Sequence, residues 1–129
     1  MALYIRGIKS IIGPLTLVAD DNALLEIKFK QSKKNDSSSI LDLAQSELSS
    51  YFKGELEKFT VPQSPEGTSY QKKCWKALKR IKFGTTISYK EQAIRVENEK
   101  HTRAVAGANN KNPLPIIIPC HRVIGANGS

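Results

Sequence analysis

Cysteine is scarce in this 129-residue chain, with only Cys74 and Cys120 present. Two thiols are too few for a disulfide framework, and a reducing compartment would leave both free for packing or chemistry. Histidine is as rare, limited to His101 and His121, and no Cys-x-x-Cys pair occurs. The usual structural zinc patterns are therefore excluded, and neither a metal nor any other cofactor is expected. No apolar run approaches the roughly 18–20 residues of a membrane-spanning helix. The start, Met1-Ala2-Leu3-Tyr4-Ile5-Arg6, lacks the basic-then-apolar pattern of a secretory leader. The expectation is a protein that does not engage a membrane and works in the cytoplasm, or in the nucleus if eukaryotic. The second half of the chain is also poor in acidic residues. Residues 67–129 hold three Asp/Glu against twelve Lys/Arg, whereas residues 1–66 hold nine against eight. All of the net charge of +8 therefore sits in the second half. Such a surface attracts phosphate backbones through counterion release, or serves as a solvated face for solubility.

The length suits one compact unit or two small lobes, and the pattern predicts an α/β (α+β) protein. Leu3-Tyr4-Ile5, Leu15-Thr16-Leu17-Val18-Ala19 and Leu24-Leu25-Glu26-Ile27-Lys28-Phe29 read as strands. Gly13-Pro14 and Asp20-Asp21-Asn22 supply turns between them, giving an antiparallel meander. The serines at 37–39 cap a helix whose apolar face is Ile40, Leu41, Ala44, Leu48, Tyr51 and Phe52, ended by Gly54. From Glu55 to Glu66 the chain is polar and carries Pro62 and Pro65, which predicts an extended linker. The boundary near Pro65 divides the chain into an amino-terminal sheet-plus-helix lobe, 1–65, and a mostly helical carboxy-terminal domain, 66–129. In the latter, Thr68 or Ser69 caps a helix with Tyr70, Cys74, Ala77, Leu78 and Ile81 on one side and lysines on the other, with Gly84 closing the region. Ser88, with Glu91 three residues on, opens a helix from Tyr89 to Val96, and a polar turn at Glu97-Asn98-Glu99 leads to a second from about Lys100 to Ala108. Two short helices on a basic background suggest a helix-turn-helix, although any helical hairpin gives a similar pattern.

Three prolines in Asn112-Pro113-Leu114-Pro115-Ile116-Ile117-Ile118-Pro119-Cys120-His121-Arg122-Val123-Ile124 rule out a regular helix and predict an extended, kinked backbone that leads an apolar run into a cysteine. Cys74, on the apolar face of a helix with no neighbouring base, reads instead as core.

Taken together, Gly67-Thr68, Trp75-Lys76-Ala77-Leu78, Gly84, Thr86, Ser88-Tyr89, Arg103-Ala104-Val105, Asn112-Pro113, Pro115 and Pro119-Cys120-His121-Arg122-Val123 resemble the carboxy-terminal domain of the methylated-DNA–protein-cysteine methyltransferases, or O6-alkylguanine-DNA alkyltransferases. The resemblance covers essentially all of 67–129, and the Pro-Cys-His-Arg-Val core is highly specific. Residues 1–66 are similar only in general style.

The resemblance implies repair by direct reversal, in which an alkyl group passes once from the O6 of guanine in double-stranded DNA to Cys120. A thiolate is the best side-chain nucleophile for that displacement, and His121 would help to form it through a water, since neighbours on an extended chain point different ways. By the same resemblance, Tyr89 crowds the phosphate beside the lesion, Arg103 fills the stack left by the flipped base, and Ala104, Ala106, Gly107 and Ala108 let the second helix enter the minor groove. Asn112 would tie the reactive loop to the helix-turn-helix, and the backbone carbonyls of Cys120 and Val123 would meet the guanine amine. Arg122 would brace the domain, and His101 would be exposed or DNA-facing. The partner is duplex DNA containing O6-alkylguanine, bound by a monomer.

Glu97 and Glu99 stand where the family usually has glycine and proline. The chain stops at Gly128-Ser129, before the family's pocket-wall segment and orienting glutamate, which suggests a truncated carboxy-terminal end. An alternative reading is a module that binds and flips alkylguanine without efficient transfer. A cysteine hydrolase or redox protein is disfavoured by the lack of an oxyanion-hole glycine motif or a resolving cysteine.

Overall fold

The computed structural model describes residues 2–125. Gly128-Ser129, on which the expectation of a truncated end rests, lies outside the described residues. The polypeptide divides into two compact units, Met1–Pro65 and Glu66–Ser129.

In the first unit, β1 (Tyr4–Ser10), β2 (Gly13–Ala19) and β3 (Leu24–Lys28) form an antiparallel meander in the order β1-β2-β3. The register runs from Tyr4 opposite Ala19 to Ser10 opposite Gly13, and from Thr16 opposite Lys28. Leu15, Leu17 and Ala19 of β2 are fully buried, with Leu24 and Ile27 beside them on β3. Phe29 falls just past the strand and is exposed. Helix α1 (Ser39–Phe52) begins where the Ser38 hydroxyl accepts from the Leu41 N–H, and covers the sheet with Leu41, Ala44 and Leu48. Lys53 caps it, and Gly54 follows at φ 76, a left-handed conformation that glycine adopts without steric cost.

The stretch expected to be a linker is docked onto its own unit. Val61 is buried, Leu24 and Gln63 form a parallel bridge, and the buried Glu47 carboxylate accepts from the Thr60 N–H, the Thr60 hydroxyl and the Val61 N–H at 2.7–3.0 Å. Proline spacing signals extended backbone but does not reveal a carboxylate waiting on the next element.

The second unit comprises α2 (Ser69–Lys79), β4 (Ile87–Ser88), α3 (Tyr89–Val96), α4 (Thr102–Asn110) and β5 (Val123–Ile124). A capping box between Thr68 and Gln71 starts α2. Gly67 lies against the Trp75 indole, where an added Cβ would come within 2.5 Å of the ring. Cys74, Trp75 and Leu78 point inward, and the Trp75 Nε1–H donates to the Ala108 carbonyl at 2.9 Å, joining α2 to α4. Cys74, Ala93, Val96, Val105 and Ala108 make one buried cluster. At its edge Gln92 and Asn109 exchange amide hydrogen bonds at 2.8 and 3.1 Å, so two buried polar side chains lock α3 to α4.

Two expectations need correction. The second helix of the hairpin does not begin near Lys100. The Asn98 side chain accepts from the Lys100 N–H and holds Glu99–His101 as a 3-10 turn, so α4 starts at Thr102 and continues to Asn110. The proline-rich segment is not extended either, since backbone turns described below fold it back on itself.

A candidate alkyl-acceptor site on the second unit

Cys120 lies at the end of a loop built from successive tight turns. Asn112 starts it: its N–H donates to the Asn109 carbonyl at the end of α4, its Oδ1 accepts from Leu114 N–H at 2.9 Å, and its Nδ2 donates to the Ile118 carbonyl at 2.8 Å. The Ile118 N–H closes a turn onto the Leu114 carbonyl. Within that turn Ile116 sits at φ 78, a left-handed conformation that a β-branched residue rarely adopts. Leu114, Ile117 and Ile118 are buried and anchor the loop from below. Pro119, at φ −82 and ψ 70 with the Cys120 N–H donating to the Ile118 carbonyl, forms an inverse γ-turn.

Cys120 then opens a 3-10 turn, Cys120–Arg122, whose cap is the Val123 N–H donating to the Cys120 carbonyl. Cys120 is half-buried and Cys74 wholly buried. Cys120 is therefore held by backbone turns in a partly accessible position, and its neighbour His121 follows it around a turn rather than along a strand.

Burial, and secondarily the charge of Arg122, lower His121 below the ordinary imidazole value even though part of the ring remains exposed. A neutral imidazole is thus favoured at pH 7, and it can accept a proton. The opposite holds for Cys74, where burial raises the thiol and the Tyr70 hydroxyl offsets only part of the rise. Cys74 stays protonated and inert.

Arg122 fixes the far side of the turn by donating from Nη1 to the Ile81 carbonyl at 2.8 Å, with its guanidinium 5.5 Å from the centre of the Phe83 ring. Val123 is buried and continues into β5, which pairs in parallel with β4, Ile87 opposite Val123 and Ser88 opposite Ile124. That two-residue sheet was not legible in the sequence. It fastens the strand after the cysteine to Ser88, the residue that caps α3 by accepting from the Glu91 N–H, immediately before Tyr89. Glu91 turns its carboxylate to Arg95, so only half of the expected capping box forms.

On α4, Val105, Ala108 and Asn109 face inward, while Arg103, Ala104, Gly107 and Asn110 are exposed. A Cβ added at Gly107 would meet nothing within 4 Å. Glycine in a helix interior costs about 0.5–1 kcal/mol relative to alanine, and no neighbour within the unit requires it here. His101 sits beside α4 with its Nε2 3.7 Å from a Glu97 carboxylate oxygen and its ring 6.0 Å from that of Tyr70. Two surface clefts of about 450 and 420 Å³ open along β1 of the first unit, and no cysteine or histidine lines either. Among the described residues there is no group of three or more His, Cys, Asp or Glu able to hold a metal ion. No helix among them is long and apolar enough to cross a membrane.

Residues 69–129 match the family described as 6-O-methylguanine DNA methyltransferase, DNA binding domain, and residues 3–65 match 6-O-methylguanine DNA methyltransferase, ribonuclease-like domain. The chain is 43% identical to a methylated-DNA–protein-cysteine methyltransferase of Methanosarcina acetivorans, covering 98% of this chain and 86% of that one. The chain belongs to this family. A namesake from Haemophilus influenzae is 37% identical, with coverage of 96% and 74%. The crystal structure of Mycobacterium tuberculosis OGT in complex with DNA superposes with a TM-score of 0.88 at 39% identity, covering 98% of this chain and 81% of that one. Membership extends the sequence resemblance to the first unit, which the sequence motifs alone had matched only in style.

Proposed function

We propose that this methyltransferase repairs O6-alkylguanine in double-stranded DNA by a single transfer of the alkyl group to Cys120, acting as a monomer in the compartment that holds the DNA. The observation that carries the reading is the contrast between the two cysteines: Cys120 is partly accessible and is followed directly by His121, whose neutral form is favoured, and Cys74 is sealed in the core.

His121 takes the Cys120 proton through a water, and the thiolate sulfur attacks the alkyl carbon. The carbon–O6 bond breaks, its electron pair goes to the guanine, and the proton held by His121 returns to the base. Guanine is restored and a thioether remains on Cys120, so the molecule acts once. Asn112 and Arg122 position the turn. The exposed face of α4 lies in the minor groove, where Gly107 and Ala104 allow close approach and Arg103 enters the stack as the base leaves. Tyr89 crowds the neighbouring phosphate. The carbonyls of Cys120 and Val123 receive the guanine amine; the former already accepts the Val123 N–H and uses its second lone pair.

The test is a duplex carrying one O6-methylguanine, incubated with the protein and with Cys120→Ser. The proposal expects stoichiometric loss of the lesion with the native chain. It expects none with the serine variant, whose duplex affinity stays within a few-fold because phosphate contacts dominate binding. Tight lesion binding by the native chain without any transfer would favour a lesion-binding module instead.

A further inference from the structure

The helix α2 carries a second charged surface that the transfer reaction does not use. Between Gly67 and Lys90 the sequence holds seven Lys/Arg and no Asp/Glu. Lys72, Lys73, Lys76, Lys79 and Arg80 of this run are all exposed. At 3.6 residues per turn they cover an arc of about 120° on α2, centred opposite the face formed by Cys74, Trp75 and Leu78.

The fold accounts for only part of this concentration: Lys76 and Lys79 lie in the last turn of α2, where the helix dipole favours cations, and Lys79 has a partner. Lys72–Lys76 and Lys76–Arg80 are like charges at i,i+4, a spacing that weakens a helix. Lys72 and Lys73 lie near the amino-terminal end, where the helix dipole favours acidic residues and the first turn has none. Lys72, Lys73, Lys76 and Arg80 have no carboxylate partner among the described residues. On α3, by contrast, Arg95 pairs with Glu91, and Lys90 pairs with Glu99. A surface kept for solubility mixes both signs. This one keeps a single sign despite the like-charge i,i+4 pairs and the unfavourable dipole at Lys72 and Lys73, as a surface for an external polyanion does.

We infer that the basic face of α2 binds the phosphate backbone of a second DNA duplex while α4 holds the first. The two helices pack on each other through their buried faces and through the Trp75–Ala108 hydrogen bond, so Arg103 and Gly107 point broadly away from Lys72 and Lys76. The basic arc is therefore on the side of α2 turned away from α4, and so away from a duplex that follows the exposed face of α4. The cations from Lys72 to Arg80 extend over about 12 Å of helix, a length along which duplex DNA presents roughly seven phosphates. The contact is backbone-only and independent of sequence, because the exposed arc from Lys72 to Arg80 carries only lysine and arginine. Holding two segments at once would let the protein pass between them in its search for a lesion.

The experiment uses the full chain and the quadruple variant Lys72→Gln/Lys73→Gln/Lys76→Gln/Arg80→Gln, all at exposed positions. Two short undamaged duplexes, one with a donor dye and one with an acceptor, report bridging by energy transfer. Each is too short for two proteins to bind side by side. The native chain is expected to bring the dyes together at low salt and the variant to lose that signal, while the rate of transfer from the free O6-benzylguanine base stays unchanged. Affinity of the α2 surface for DNA should also give the native chain a steeper dependence on salt than the variant, by two to four phosphate contacts in the slope, on the order of 0.9 for each. Equal bridging by both proteins, no bridging by the native chain, or an unchanged salt slope would each overturn the inference. So would a partner whose binding depends on these lysines but which is an acidic protein, because the DNA readouts would then not move. The free-base rate reports on Cys120 alone and separates failure here from failure of the alkyl-transfer reading.

Discussion

Replacing Asn112 by alanine removes two hydrogen bonds at the root of the reactive loop, Nδ2 to the Ile118 carbonyl at 2.8 Å and Leu114 N–H to Oδ1 at 2.9 Å. Each is worth about 0.5–1.5 kcal/mol net, and leaving a buried partner unsatisfied costs about 1–3 kcal/mol. The Ile118 carbonyl keeps the Cys120 N–H as a donor, so the group left unsatisfied is the Leu114 N–H, on a residue at 0% exposure that water does not readily reach. The expected loss is about 2–4 kcal/mol, or a fall in Tm of roughly 6–16 °C for a chain of this size. Asn112→Asp keeps the acceptor for Leu114 but sets a carboxylate oxygen against the Ile118 carbonyl, and should be no milder than alanine at neutral pH. The loop also carries Ile116 in a left-handed conformation, which only surrounding contacts maintain. Loosening it should slow transfer from the free benzylguanine base by more than tenfold at a temperature where the variant is still folded. Thermal melts, followed by single-turnover rates well below the lower Tm, would measure both effects. An Asn112→Ala protein with native Tm and native rate would refute the claim that this side chain holds the cysteine turn.

Gly107→Ala should stabilise α4 by up to about 1 kcal/mol in denaturant titration yet weaken duplex binding, since the fold leaves the position open; a gain in both would remove the case for close approach by DNA. Arg103→Ala should impair reaction with a lesion stacked in a duplex more than reaction with the free base, and equal losses would assign Arg103 to the fold. Glu47→Ala should cost the first unit about 2–4 kcal/mol by stranding the Thr60 and Val61 N–H groups, measured by urea unfolding, with an unchanged midpoint as the contrary result. His121 lies below the 6.5 of a free imidazole in the folded chain, so its contribution to stability is complete above that value and is lost as pH falls toward the folded-state value. A His121→Gln variant should show a flatter stability profile between pH 7 and 5, and a profile identical to that of the native chain would contradict a lowered folded-state value for His121.

The sequence made the meander legible through its short apolar runs and turn residues, and α1, α2 and α3 through an apolar period and a side-chain cap at Ser38, Thr68 and Ser88. The candidate residues could be named because Pro119-Cys120-His121-Arg122-Val123 is a local motif. How they are held was less legible, because it depends on partners distant in the chain. Arg122 reaches back to the Ile81 carbonyl, and Val123 pairs with Ile87. Prolines at 113, 115 and 119 signal the absence of a helix but do not distinguish an extended strand from consecutive turns, and the Asn112 side chain decides that. The docking of Thr60 and Val61 onto Glu47 was hidden for a similar reason, since a buried carboxylate on a helix looks like any surface glutamate until its partners are known.

The division of labour between the two cysteines is tested most directly by intact mass and peptide mapping after reaction with a duplex containing O6-methylguanine. The native chain and Cys74→Ser should each gain the mass of one methyl group less the hydrogen it replaces, on the peptide that contains Cys120, and Cys120→Ser should gain none. A methyl group on Cys74, or transfer that survives in Cys120→Ser, would contradict the account.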